Sequence, residues 1–130
     1  MNVLAFDLGA SNGRADVGHL GDHKISITEV HRFPNHSILI GNRLQWDILR
    51  IFHEIKQGIL KSKYLGYTQL QSMAIDSWAL DFGVIGSNGE LMGNPYHYRD
   101  RQTDGMVEEV CGIIPREELL SRTGIQFLPI

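Results

Sequence analysis

Cysteine is nearly missing from this chain. Cys111 stands alone among 130 residues, so no intrachain disulfide can form, and a reducing, cytoplasmic setting fits. Long apolar runs are missing too: no stretch approaches the roughly 20 apolar residues needed to cross a bilayer. The opening residues, Met1 to Asp7, carry no basic segment and meet an acid before a signal-length apolar run develops. Basic clusters are likewise lacking. The net charge is −3, and the densest basic group, Arg99-Asp100-Arg101, is interrupted by its own counter-charge, which argues against nucleic acid as a partner. Six histidines are present, yet none falls in an H-E-x-x-H or Cys/His spacing, so surface or hydrogen-bonded histidines explain them better than a metal site. Cys111, inside Val110-Cys111-Gly112-Ile113, reads as a small buried hydrophobe rather than a nucleophile. What is there, 42% apolar residues over this length, suffices for one domain with a real core and is too short for two ordinary ones. No internal repeat or low-complexity tract occurs.

Strand signals come first. Val3–Leu8, Gly13–Leu20 and Ile25–Phe33 are separated by short turns and predict an antiparallel meander. The third run alternates imperfectly, so a bulge near Glu29 is expected. Residues 36–45 predict a loop or irregular hairpin whose Ile38-Leu39-Ile40 should cover something. Asp47 is a plausible N-cap for a helix carrying Ile48, Ile51, Phe52, Ile55, Ile59 and Leu60 at helical spacing and ending by Gly66. Met73–Ile75 reads as a short buried strand, and Asn88-Gly89 as a hairpin turn. Two short helices follow, about Asp104–Ile113 and Arg116–Arg122, the second stopped by Gly124. This order suits an α/β fold in which an antiparallel meander is extended by βα elements into a mixed sheet. The apolar ending Phe127-Leu128-Pro129-Ile130 suggests a partial chain, since a nucleotide cleft of this type calls for another strand and a second domain.

The segment Ala5-Phe6-Asp7-Leu8-Gly9-Ala10-Ser11-Asn12-Gly13-Arg14 delivers an aspartate into a glycine-containing turn between two strands. Gly9 and Gly13 permit φ > 0, which would let backbone N–H groups converge on an anion, with Ser11, Asn12 and Arg14 adding side-chain donors. Asp7 cannot bind an anion itself. A carboxylate beside a phosphate makes sense where Mg²⁺ lies between them. The competing reading is an ordinary β-hairpin with a solvated Asp7. The loop is neither a Walker A nor a Gly-x-Gly-x-x-Gly motif.

A second constellation, Asp76-Ser77-Trp78-Ala79-Leu80-Asp81, places two carboxylates, a hydroxyl and an indole at a strand end, where ligands of α/β sheets usually bind. Such sets suit sugars, whose hydroxyls donate to carboxylates and whose C–H face lies on an aromatic ring. The alternative makes Trp78 ordinary core and Asp76 a cap or turn residue. Tyr96 to Asp100 forms a further polar and aromatic group in which Arg99 pairing with an acid would hold the loop.

From Val3 to Ile130 the chain resembles the N-terminal part of the rhamnulokinases, a branch of the FGGY carbohydrate kinases with the ribonuclease H-like, actin-like ATPase fold. The resemblance is carried by Asp7–Arg14, His31-Arg32-Phe33, Trp46-Asp47, Ile75–Phe82, Tyr98-Arg99-Asp100 and Thr123–Pro129. It implies ATP-dependent, Mg²⁺-assisted phosphorylation of L-rhamnulose at its 1-hydroxyl. By the same resemblance, residues 1–130 are the N-terminal part of the first kinase domain. Ala10, Ser11, Asn12, Gly13 and Arg14 would bind the ATP phosphates, Asp7 would organise the metal, and Trp78 and Ala79, with Asp76 and Asp81 beside them, would face the sugar. The family's general base, an aspartate, lies in a later segment, so this chain alone is expected to be inactive. Two positions depart from the pattern: Asn12 replaces a hydroxyl residue, and Ala79 replaces a glycine. Two other readings stay open, a non-catalytic remnant that binds phosphate or sugar, and a kinase for another ketose. Asp7 with the 10–13 backbone is expected to bound one concavity together with residues 76–81, because donor and acceptor of a phosphoryl group must share a space.

Overall fold

The computed structural model describes residues 1–128, so Pro129, part of the last resemblance motif, lies outside the described residues. Strands β1 (Asn2–Leu8), β2 (Asn12–Gly21) and β3 (Lys24–Pro34) form the expected antiparallel meander. Strands β4 (Ile38–Ile40) and β5 (Arg43–Gln45) pair as a small separate hairpin, followed by helix α1 (Ile48–Tyr64) and strand β6 (Ser72–Asp76). Strand β6 returns parallel to β1, which gives a mixed sheet of order β3-β2-β1-β6. The chain closes with a 3-10 turn (Arg101–Thr103) and helices α2 (Met106–Ile113) and α3 (Arg116–Thr123).

Alternation along β1 and β2 sends Leu4, Phe6 and Leu8 with Ala15 and Val17 to one face, against which α1 and the partly buried Tyr67, Leu70 and Trp78 pack. Each large apolar side chain buried there contributes about 1.5–3 kcal/mol. The helix begins as its sequence suggests, with Asp47 Oδ1 accepting from the Arg50 backbone N–H at 3.1 Å. Its close seat depends on Gly58: a Cβ there would stand 2.7 Å from Phe6 Cε1 and 3.0 Å from Ala15 Cβ. The opposite face carries no layer among the described residues, and Ala5 and Ala74 lie exposed on it.

The bulge falls beside Glu29. Ala15 pairs with His31 and Asp16 with Glu29, leaving Val30 as the extra residue, so that Val30 and His31 are buried in succession. The Asn88-Gly89 turn is also present, closed by a single bridge between Ile85 and Leu91. Gly124 ends α3 in the left-handed region, φ 66°.

Three expectations are corrected. Met73–Ile75 is not a buried strand: β6 is the sheet edge, α1 sits over β2 and β3, and Met73 and Ile75 remain about half exposed, at 52% and 48%. Of Ile38-Leu39-Ile40 only Ile38 is half-buried, while Leu39 and Ile40 lie exposed on a hairpin that pairs separately from the main sheet. Gly9 and Gly13 do not adopt positive φ. They are glycines for lack of room: a Cβ at Gly9 would lie 2.9 Å from the Asn12 carbonyl oxygen, and one at Gly13 would enter the Phe33 ring. Cys111 is half-buried on α2.

Candidate active site

The β1–β2 turn is closed by the Gly9 N–H donating to the Asn12 carbonyl at 3.0 Å. Asn35 secures it from outside, its Nδ2 donating to the Gly9 carbonyl at 2.7 Å and its N–H to the Ser11 carbonyl at 3.0 Å. The Gly9 amide is therefore spent on the turn. Those of Ala10 and Ser11 donate to no protein group among the described residues, and both residues are exposed. Two backbone donors and the Ser11 hydroxyl are thus free for an anion.

Register aligns four charged residues across the sheet. Asp76 of β6 is the neighbour of Asp7, Asp7 of Arg14, and Arg14 of Arg32, all on the face away from α1. Register partners in neighbouring strands project to the same side, so two acids share the β1–β6 end and two bases the β2–β3 end. Arg14 Nη2 donates to Asp7 Oδ2 at 2.7 Å, and its Nε stands 3.4 Å from Asp16 Oδ2. Among the described residues no group of three or more His, Cys, Asp or Glu is placed to hold a metal ion. A divalent cation beside Asp7 would draw its other ligands from phosphate oxygens and water.

Beyond Asp76 the chain turns toward the core. Trp78 stacks on the buried Trp46, centroids 3.8 Å apart, and Trp46 Nε1 donates to Asp81 Oδ2 at 3.0 Å. His97 lies 4.3 Å from Trp46 and stacks on Tyr98. Burial holds the His97 imidazole below its ordinary pKa, and the nearby Arg99 adds to this against Asp81 and Asp100. The Trp78 indole N–H is buried without an acceptor among the described residues. A cavity of about 180 Å³ opens between Trp46, Ser77, Trp78, Asp81, Phe82 and Pro95. Neither Asp7 nor residues 10–14 line it, nor do they line the roomier hollow of about 310 Å³ bounded by Gln45, Phe82, Met92 and Tyr96. So Asp76 joins the phosphate-loop group, whereas Trp78 and Asp81 form a neighbouring cluster against the core. Ala79 lies exposed in the irregular stretch between them.

Several residues escaped the sequence reading. Asp100, rather than Arg99, anchors the 96–103 loop. Its Oδ1 accepts from Arg43 Nε and Nη2, at 2.9 and 2.6 Å, and from the Gln102 N–H at 2.9 Å, while Oδ2 accepts from the Leu44 N–H at 2.7 Å. The Arg43 hydrogen bonds hold this carboxyl below the usual range, against burial. His31 bridges β3 to α1, with Nε2 2.7 Å from Glu54 Oε2 and Nδ1 2.9 Å from Lys61 Nζ. An ammonium only donates, so Nδ1 accepts and Nε2–H donates to Glu54. The motif His31-Arg32-Phe33 could have signalled this arrangement, with two members facing the helix and the middle one facing the charged row.

No protein-family model matches the chain. Its fold is that of sugar kinases: gluconate kinase from Lactobacillus acidophilus superposes with a TM-score of 0.78 at 14% identity, over 95% of this chain and 25% of that one. Xylulose kinase from Rhodospirillum rubrum gives 0.78 at 14%, over 95% and 26%. Sequence narrows the class, for the chain is related to the N-terminal quarter of the rhamnulokinases. It is 45% identical to the rhamnulokinase of Oceanobacillus iheyensis over 124 residues, 95% of this chain and 26% of that protein. With that of Mannheimia succiniciproducens it shares 39% over 130 residues, 98% and 27%. The chain thus spans about a quarter of the length of the curated relatives it matches.

Proposed function

We propose that residues 1–130 form the phosphate-binding wall and part of the sugar wall of an ATP-dependent kinase that phosphorylates L-rhamnulose on its 1-hydroxyl. The observation that carries the reading is the charged row Asp76, Asp7, Arg14 and Arg32 beside the free N–H groups of Ala10 and Ser11. Such an arrangement meets polyphosphate with donors on one side and a cation-organising acid on the other. ATP would supply the transferable phosphoryl group, and Mg²⁺ would supply neutralisation of the charge developing there. Within this chain, the Ala10 and Ser11 amides, the Ser11 and Asn12 side chains and Arg14 hold phosphate oxygens, with Gly13 keeping the loop close to the sheet. Asp7 would hold the cation, and Asp76 extends the acidic end of the row. Trp78, Ala79 and Asp81 form the sugar side, where the unpaired Trp78 N–H offers a donor to a hydroxyl. No helix among the described residues is long and apolar enough to cross a membrane, and a lone cysteine accords with a cytoplasmic enzyme.

The resemblance puts the general base on a later segment, and base assistance is worth about 10²–10⁴ in rate. The 130-residue chain therefore binds without turnover. The test is a chimera in which this chain replaces the matching N-terminal quarter of the Oceanobacillus iheyensis relative. ADP release is followed with a ketose panel, for the chimera and for the chain alone. Rhamnulose-dependent ADP release by the chimera and none by the chain is the expected result. A chimera that prefers another ketose refutes the substrate, and sustained turnover by the chain alone, abolished in its Asp7→Asn variant, refutes the division of labour.

A further inference from the structure

Resting on the phosphate-loop reading, we infer that Arg32 is a positioning residue for the loop, fixing the Asn12 carboxamide so that Asn12 and Ser11 present protons to an anionic phosphate group.

Residues three apart on a regular strand project to opposite faces. The extra residue Val30 cancels that, so Glu29 and Arg32 share the face bearing Asp7 and Arg14. There Arg32 Nε lies 3.1 Å from both Glu29 oxygens, and Nη2 donates to Glu29 Oε2 as well. The guanidinium is held with one arm free, and that arm, Nη1, donates to Asn12 Oδ1 at 2.8 Å. Arginine has no acceptor, so the amide is fixed with its oxygen toward Arg32 and its NH₂ away. Asn12 Nδ2 then donates to Ser11 Oγ at 3.2 Å. Because Ser11 Oγ accepts there, its own O–H proton is left to point outward, as is the second proton of Nδ2. A positive charge at one end polarises the series in the same sense. Every member is at least partly open to solvent, so a ligand can meet the donors. A lysine at 32 would keep the charge but could not engage Glu29 bidentately and Asn12 at once.

The test is titration of the 130-residue protein with inorganic tripolyphosphate, followed by the backbone amide resonances of Ala10, Ser11 and Asn12. Wild type, Arg32→Lys, Asn12→Ser and the double variant are compared, with Arg32→Gln replacing the lysine variant should that one not fold. Arg32→Lys is expected to weaken binding about tenfold in the wild-type background and to cost almost nothing in the Asn12→Ser background. Unweakened binding by Arg32→Lys overturns the inference. So does an equal loss in both backgrounds, which would mean that Arg32 acts independently of Asn12. If the wild-type loop resonances do not respond to tripolyphosphate at all, the phosphate-loop reading falls, and this inference falls with it.

Discussion

Replacing Gly13 by alanine tests how tightly the loop is tied to the sheet. An alanine methyl would lie 2.7 and 2.8 Å from Cε2 and Cε1 of Phe33, and closer still to Cζ. Comfortable carbon contacts need about 3.5–4.0 Å, so the shortfall is roughly 1 Å. Phe33 is 3% exposed, and Gly13 lies in the central ladder between β1 and β3, so neither group can retreat without moving a strand. The cost therefore falls in the upper part of the overpacking range, about 2–3 kcal/mol. For a chain of this size that lowers Tm by about 6–15 °C. Urea unfolding followed by the fluorescence of Trp46 and Trp78 measures it. Phe33→Leu alone costs about 1–2 kcal/mol for lost packing. In the double variant the vacated space accepts the methyl, so its loss is smaller than the sum by about 1–2 kcal/mol. Strict additivity, or a Gly13→Ala variant within about 0.5 kcal/mol of wild type, would refute the steric account.

In the chimera described above, Asp7→Asn should lower kcat by about 10²–10³ with little change in the KM for ketose. An unchanged kcat with a raised KM would move Asp7 to the sugar side. Asp100 has a depressed pKa when folded, so its contribution is present above the ordinary value of 3.8 and is lost as pH falls through the folded value. Asp100→Asn should lower the urea midpoint at neutral pH and flatten its fall in acid, and an unaltered acid limb counts against the role. For His97, also depressed, the unfolded chain takes up the proton first, so stability falls as pH drops below 6.5 toward the folded pKa. His97→Gln should remove that segment of the urea-midpoint profile, and its persistence would assign it to another group.

The meander, α1 with its Asp47 cap, and the bulge beside Glu29 were legible because each is written in local spacing and turn chemistry. Their exposure was not. Met73 and Ile75 have the residues of a buried strand, yet whether an apolar side chain is covered depends on which elements pack over it, and α1 lies over β2 and β3. The glycines of the loop are readable, but the reason for Gly13 is not, since a close approach by Phe33 leaves no trace in the neighbouring sequence. The candidate site divides similarly. Asp7, Asp76 and the 10–14 loop were visible as strand-end motifs, whereas the pairing of Trp46 with Asp81 spans 35 positions and that of Arg43 with Asp100 spans 57. In the sequence Arg32 is only one member of the His31-Arg32-Phe33 motif. Its partners become apparent only once Val30 is known to be supernumerary.

That extra valine also marks where the hairpin could change length. A pleated strand behaves like text with a two-letter frame, and dropping one residue ordinarily reverses every side chain beyond the gap. Dropping Val30 would not. Asp16 would still oppose Glu29 and Ala15 would still oppose His31, so His31 and Phe33 would keep facing α1 and Arg32 would keep its place in the charged row. The loss would be one buried valine and some local twist. Removing Thr28 or Ala15 instead would put the two flanks out of step. Shortened homologues, or a deletion scan of residues 12–34, should therefore tolerate a gap at position 30 before one elsewhere in the two strands.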